Sequence, residues 1–131
     1  MSEENLKSVR RLVTAFNDRD LDSFLADLHP EVEFHSLRAQ LEGRPYVGHE
    51  GARKMFTDFD EDWDYLHLEL EDLRDTAHTV VAVGHLISRG RASHVDLDVP
   101  VAFMWRFRDD KVVYGKVFSD PSDALRAAGL S

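Results

Sequence analysis

Apolar residues recur at helical spacing from Glu3 to Asn17, where Leu6, Val9, Leu12, Val13 and Phe16 share one face. Ser2, Glu3 and Glu4 open that segment, and acids favour the positive end of a helix. Asn17-Asp18-Arg19-Asp20 interrupts the pattern. Asp20 is suited to cap a second short helix, Leu21 to Leu28, with Leu21, Phe24, Leu25 and Leu28 inward. His29-Pro30 ends it, because a residue before proline is pushed out of the α region. Glu31 to Ser36 alternates and predicts a short strand, while Leu37 to Val47, with Gly43 and Pro45, reads as loop. A third helix is predicted from Glu50 to Trp63, its stripe made by Ala52, Met55, Phe56, Phe59 and Trp63.

From Leu66 the period changes to two. Leu66, Leu68 and Leu70 alternate with polar residues, and Thr79 to Arg89 forms a second long strand. Val95 to Phe118 then reads as two strands joined by a tight turn at Arg108-Asp109-Asp110-Lys111. Two registers suit this ribbon. A plain two-residue turn pairs Phe103 with Lys116 and Trp105 with Tyr114. A turn bulged at Asp110 pairs Phe103 with Gly115 and Trp105 with Val113, and one residue of slip exchanges the faces. The bulged register is preferred. It gathers Arg106, Lys116, Tyr114 and Met104 on one side and leaves Val101, Phe103, Trp105, Val113, Gly115 and Val117 as an apolar face. Ser122 to Ala128 is a last short helix, capped by Asp120 and stopped by Gly129.

Helices followed by a meander of strands predict an α+β domain, a curved antiparallel sheet wrapped around three N-terminal helices. With 131 residues, a single domain spanning 1–131 is expected. The chain has no cysteine, which excludes disulfides and thiolate chemistry. A net charge of -9 argues against nucleic acid and anionic lipid as partners. The N-terminus lacks an apolar leader core and no run is long enough to span a bilayer, so a cytoplasmic location is expected. Seven histidines show no pair at the spacing that presents two ligands on a helix, and no glycine-rich phosphate loop is present. Neither metal nor cofactor is expected.

Several strings together resemble the nuclear transport factor 2-like superfamily, specifically its SnoaL-like polyketide-cyclase branch. They are Val9 to Asn17, Leu28-His29-Pro30, Val47-Gly48-His49-Glu50-Gly51, the ribbon Pro100 to Val113 and the tail Asp120 to Leu130. The resemblance implies a cystatin-like cone with a cavity between sheet and helices, and a homodimer through the outer face of the sheet. The superfamily includes isomerases, cyclases, hydrolases and proteins without catalysis, so the residues must decide. The positions of the ketosteroid isomerase groups fall on Leu12, Ser36 and Phe103. Those of the SnoaL-type acid and base fall on Phe103 and Val117. None of these side chains performs that chemistry. An epoxide-hydrolase set from Asp98, Arg89 and Asp120 is possible on paper only.

The remaining candidates are assigned by position. His35 is the candidate acid-base group, against a plain rim histidine alternating with Phe34. Leu12, Phe16, Tyr46, Phe56, Phe59, His85, Phe103, Trp105 and Val117 are the candidate lining of a cavity for a flat apolar molecule. Three functions compete: a cofactor-free isomerase, cyclase or hydrolase, a binding protein without catalysis, and an interaction module using Met104, Tyr114 and Phe118 on the outer sheet face. An enzyme-like pocket of unknown substrate is slightly favoured.

Overall fold

The computed structural model describes residues 2–76 and 78–130. Helix α1 spans Ser2–Asp18 and α2 spans Leu21–Ala26. Asp20 caps α2 by accepting from the Ser23 amide. Strand β1 runs Leu28–His35. It starts earlier than the alternation suggested because Pro30 needs no amide hydrogen and tolerates extended backbone. The predicted loop holds a short helix, α3 (Leu37–Glu42), and a two-residue strand, β2 (Tyr46–Val47). Ser36 caps α3 and Gly43 ends it with a left-handed φ of 73°. Helix α4 spans Gly48–Asp62.

The meander follows as β3 (Trp63–Asp75), β4 (Thr79–Gly90), β5 (Asp96–Arg108) and β6 (Lys111–Phe118), and α5 (Pro121–Ala127) closes the order. Asp120 caps α5 through the Ser122 amide, as expected. One six-stranded sheet has the order β2-β1-β6-β5-β4-β3. The sheet is not antiparallel throughout: β1 lies parallel to β6, pairing Phe34 with Gly115 and His35 with Lys116. That neighbour is reached only after two helices and four strands, so local pattern does not announce it. Four helices precede the meander rather than three.

Bulges bend the sheet. The pairing slips between Trp63 and Tyr65, between Leu70 and Asp72, and between Arg106 and Phe107. Gly84 lies opposite the second slip, where a Cβ would run into the Glu69 carbonyl oxygen. The edge strand β3 is held to α1 by Asn17, whose amide bonds both the Leu68 amide and carbonyl at 2.9 Å. The ribbon register differs from the expectation. Arg108 pairs with Lys111 across a two-residue turn, Asp109 and Asp110 both take positive φ, and the extra residue is Val113. Phe103 therefore faces Val117 and Trp105 faces Gly115. The offset from the preferred register is two residues, so the inward face of Val101, Phe103, Trp105, Gly115 and Val117 survives. At the turn end Val112, not Val113, enters the core.

The concave side of the sheet carries the main core, with Val9, Leu12 and Val32 fully buried. On the convex side α5 covers Val81, Ala102 and Met104, which form a second small cluster with Ala124. Met104 is 2% exposed, so it is covered by this chain's own last helix and is not a free docking residue. No helix among the described residues is long and apolar enough to cross a membrane.

Candidate functional site

Between the helices and the concave sheet lies a cavity of about 330 Å³. Helix α1 brings Leu12, Val13 and Phe16 to it on successive turns of its buried face. Phe24 enters from α2, and Met55 and Phe59 from α4. The sheet supplies Phe34, Leu66, Leu68, Leu86, Phe103, Trp105 and Val117. Gly115 leaves room on the floor: a Cβ there would stand 2.9 Å from the Phe34 ring and 3.1 Å from the Trp105 ring.

The aromatic side chains are ordered by contact with one another. Phe103 and Trp105 stack at 5.6 Å with planes 11° apart, two parallel rings on successive inward positions of β5. Phe16 stands edge-on to Phe59 at 5.7 Å, and Phe34 edge-on to Trp105 at 6.3 Å. Such a lining favours an apolar molecule.

Polar groups gather at one end. Helix α3 carries Leu37, Arg38 and Leu41 to the opening, with Leu41 90% exposed. Gln40 clamps α3 to the sheet, its amide donating at 2.9 Å to the carbonyls of His35 and Val117. Arg38 meets Asp62 at 3.1 Å, and both line the opening. Ser36 also lines it, but its hydroxyl is engaged by the Ala39 amide at 3.2 Å.

Six of the expected lining residues converge here: Leu12, Phe16, Phe59, Phe103, Trp105 and Val117. The other three lie elsewhere. Phe56 sits behind the wall, 4.9 Å from the Phe24 ring. Tyr46 is not a rim phenol. It is buried, and its hydroxyl donates at 2.6 Å to Asp58. His85 lies on the convex face with Nδ1 2.7 Å from Asp98 and Nε2 3.3 Å from Glu71, because even-numbered β4 residues such as Ala82 turn inward.

His35, the acid-base candidate, borders the opening through its strand, but its ring lies 5.0 Å from Tyr114 and its Nε2 3.2 Å from Glu33. Phe34 points in, so its neighbour on a strand points out. Asp98, Arg89 and Asp120 do not converge either: Arg89 pairs with Asp96, Asp98 with His85, and Asp120 caps α5.

The pattern reading missed Asp62, Arg38 and Trp63 at the opening and Phe24, Phe34 and Leu86 in the wall. A signal for α3 was present: Ser36 as cap, Gly43 as stop, and the i,i+4 pair Arg38–Glu42 at 3.3 Å. Burial opposes ionisation of Asp58, yet the Tyr46 hydroxyl and the Lys54 ammonium outweigh it and hold the carboxyl below its usual range. The Tyr46 phenol is pushed up by burial and by Asp58 beside it. Among the described residues no cluster of three histidine or carboxylate side chains could hold a metal ion.

The family model for the SnoaL-like domain matches residues 9–115. No match to a curated protein is found. Solved structures are similar over nearly the whole chain. An NTF2-like protein of unknown function from Burkholderia pseudomallei is 21% identical with a TM-score of 0.81, covering 98% of each chain. TerC, co-crystallised with polyporic acid, is 19% identical with a TM-score of 0.79, covering 95% of this chain and 97% of its own. A protein with a ketosteroid isomerase-like fold from Catenulispora acidiphila, in complex with trimethylamine, is 14% identical with a TM-score of 0.76, covering 95% of this chain and 93% of its own. At these identities the likeness concerns the fold.

Proposed function

The chain belongs to the SnoaL-like domain family, and on that premise we propose that it acts in the cytoplasm as a binding protein for a flat, largely apolar small molecule. The observation that carries this reading is the stacked Phe103–Trp105 wall inside an apolar cavity of about 330 Å³. That volume lies at the small end of ligand pockets. Acid-base side chains lie at the opening, where Asp62 is neutralised by Arg38, and the depth of the cavity is lined by hydrocarbon. TerC, of similar fold, was crystallised with polyporic acid.

The test uses naphthalene as the probe. Quenching of tryptophan fluorescence and a rise in Tm are expected on binding. Val117→Trp fills the cavity from the floor and should abolish both while circular dichroism stays native. Absence of binding to the natural chain, or full binding by the filled variant, would overturn the reading. Native mass spectrometry of protein from its own host would then reveal the retained molecule by mass.

A catalytic reading, isomerase, cyclase or hydrolase without a cofactor, is favoured by one observation: the Asp62 carboxylate lines the opening beside Arg38. It requires Asp62→Asn to abolish turnover without loss of binding. A homodimer through the convex sheet face is part of the same proposal, and its available surface is the part beyond α5, where Tyr65 is 50% exposed. Sedimentation at micromolar concentration tests it, and a monomer there would refute it.

A further inference from the structure

Resting on the binding reading above, we propose that helix α3 is a lid, which closes on the bound molecule by bringing Leu37 and Leu41 down over the opening. These two leucines stand four residues apart, on one face of the helix, and both line the opening. Yet Leu37 is 49% exposed and Leu41 90%. The chain thus keeps two large aliphatic side chains in water at the edge of an apolar cavity. Singly exposed apolar residues are common on protein surfaces. A pair on one helix face beside a cavity mouth has a place next to it in which to be buried. An apolar molecule in the cavity supplies the missing surface, and closure removes both leucines and the molecule from water together.

The attachment of α3 suits such a movement. Ala39 is its one buried residue, so apolar burial contributes little to its position. Two polar side chains hold it instead. Gln40 donates at 2.9 Å to the carbonyls of His35 and Val117, and Arg38 reaches Asp62 at 3.1 Å and Asp58 at 3.7 Å. Gln40 is exposed and Arg38 half-buried, so water competes for these bonds and each contributes little net stability.

The ends of the helix are placed for a hinge. α3 lies within the connection between β1 and β2, and those strands pair with each other at Phe34–Tyr46 and Glu33–Val47. The base of the connection is therefore fixed, and the helix moves without disturbing the sheet. Gly43 ends α3 at a φ of 73°, and a Cβ there would meet nothing within 4 Å. This glycine is present for its backbone freedom and not to make room, as a hinge position requires.

The experiment is hydrogen exchange with naphthalene as the probe, binding itself being read by tryptophan fluorescence. The Gln40 amide bonds the Ser36 carbonyl at 2.9 Å and the Arg44 amide bonds the Ala39 carbonyl at 3.1 Å, so both report opening of α3. The Ala128 amide, bonded to Ala124 at 3.1 Å at the end of the short helix α5 on the convex side, is the control. Saturation should slow the two α3 amides at least about tenfold and leave Ala128 unchanged. Leu41→Ser should leave the Tm of the empty chain in place, because Leu41 is exposed, and weaken naphthalene at least about fivefold. If naphthalene binds while the α3 amides slow no more than Ala128, or binds Leu41→Ser as tightly as the natural chain, α3 is a fixed rim and this inference falls while the binding reading stands. If tryptophan fluorescence shows no binding, both fall.

Discussion

The Tyr46 hydroxyl donates a 2.6 Å hydrogen bond to the Asp58 carboxylate, joining the two-residue strand β2 to the middle of α4. Lys54 approaches the same carboxylate at 3.1 Å and Arg38 at 3.7 Å. One buried anion thus ties together β2, α3 and α4, the elements that frame the opening of the cavity. Tyr46→Phe removes the shortest of these bonds and leaves a buried carboxylate short of a donor. A loss of about 1–3 kcal/mol in urea unfolding is expected. The sign with pH follows from the depressed carboxyl pKa. Its stabilisation is present above the unfolded value, near 3.9, and is lost as pH falls through the lower folded value. The variant should therefore begin to unfold at a higher pH in an acid titration. An unchanged acid midpoint would show that Lys54 and Arg38 suffice.

Two glycines of the sheet should differ sharply in their tolerance of alanine. At Gly84 the added carbon meets the backbone oxygen of Glu69 at a bulge, and backbone there cannot yield without breaking the β3–β4 ladder. At Gly115 it meets the rings of Phe34 and Trp105 at 2.9 and 3.1 Å, which yield by small rotations into the adjoining cavity. Gly115→Ala should cost about 1–3 kcal/mol and narrow the cavity floor. Gly84→Ala should cost more and lower soluble yield. Chemical denaturation of both, with naphthalene affinity for Gly115→Ala, checks the order.

Much of the fold is legible in the sequence. Period alone marks α1, α4 and the meander, since each buries one face and leaves the other wet. The inward set Phe103, Trp105 and Val117 followed from segregating charge across the ribbon. Its pairing did not, because the extra residue is Val113 on β6 rather than Asp110 in the turn, and side-chain polarity does not distinguish those positions. His35 shows a different limit. The alternation that turns Phe34 inward requires His35 to turn out, so its titratable side chain lies against Tyr114 and Glu33 and not in the cavity. The β1–β6 pairing and the clamp of α3 by Gln40 are long-range facts with no local signal.

The turn between β5 and β6 is built against residue preference. Asp109 and Asp110 hold φ of 54° and 62°, the two left-handed conformations of a type I′ turn. Asn-Gly meets that requirement with less strain and removes two adjacent negative charges. Replacing the pair as Asp109→Asn with Asp110→Gly should stabilise the chain by about 0.5–1 kcal/mol without altering ligand affinity, because the turn lies outside the cavity lining. A rise in Tm with unchanged naphthalene binding is the expected result. A destabilised double variant would mean that the His29–Asp109 contact at 3.9 Å matters more than the backbone strain.

His85 should make the stability of the convex face depend on pH. Its Nδ1 faces Asp98 at 2.7 Å and its Nε2 faces Glu71 at 3.3 Å, and only the imidazolium donates from both nitrogens. The hydrogen bond to Asp98 raises the pKa. Partial desolvation opposes the rise, and the charges of Glu71, Asp98 and Glu69 support it. A raised folded value means that the contribution is fully present below the unfolded pKa, near 6.5, and fades as pH climbs through the folded one. His85→Gln keeps a polar side chain without the charge. Its Tm should fall short of the natural chain most below the unfolded pKa, and the deficit should close as pH climbs through the raised folded value. The pair is exposed, so salt should shrink the acid-side difference. A deficit that stays constant across pH would trace the effect to packing against Pro100 and Glu69, the cross-strand neighbours of His85, and not to its proton.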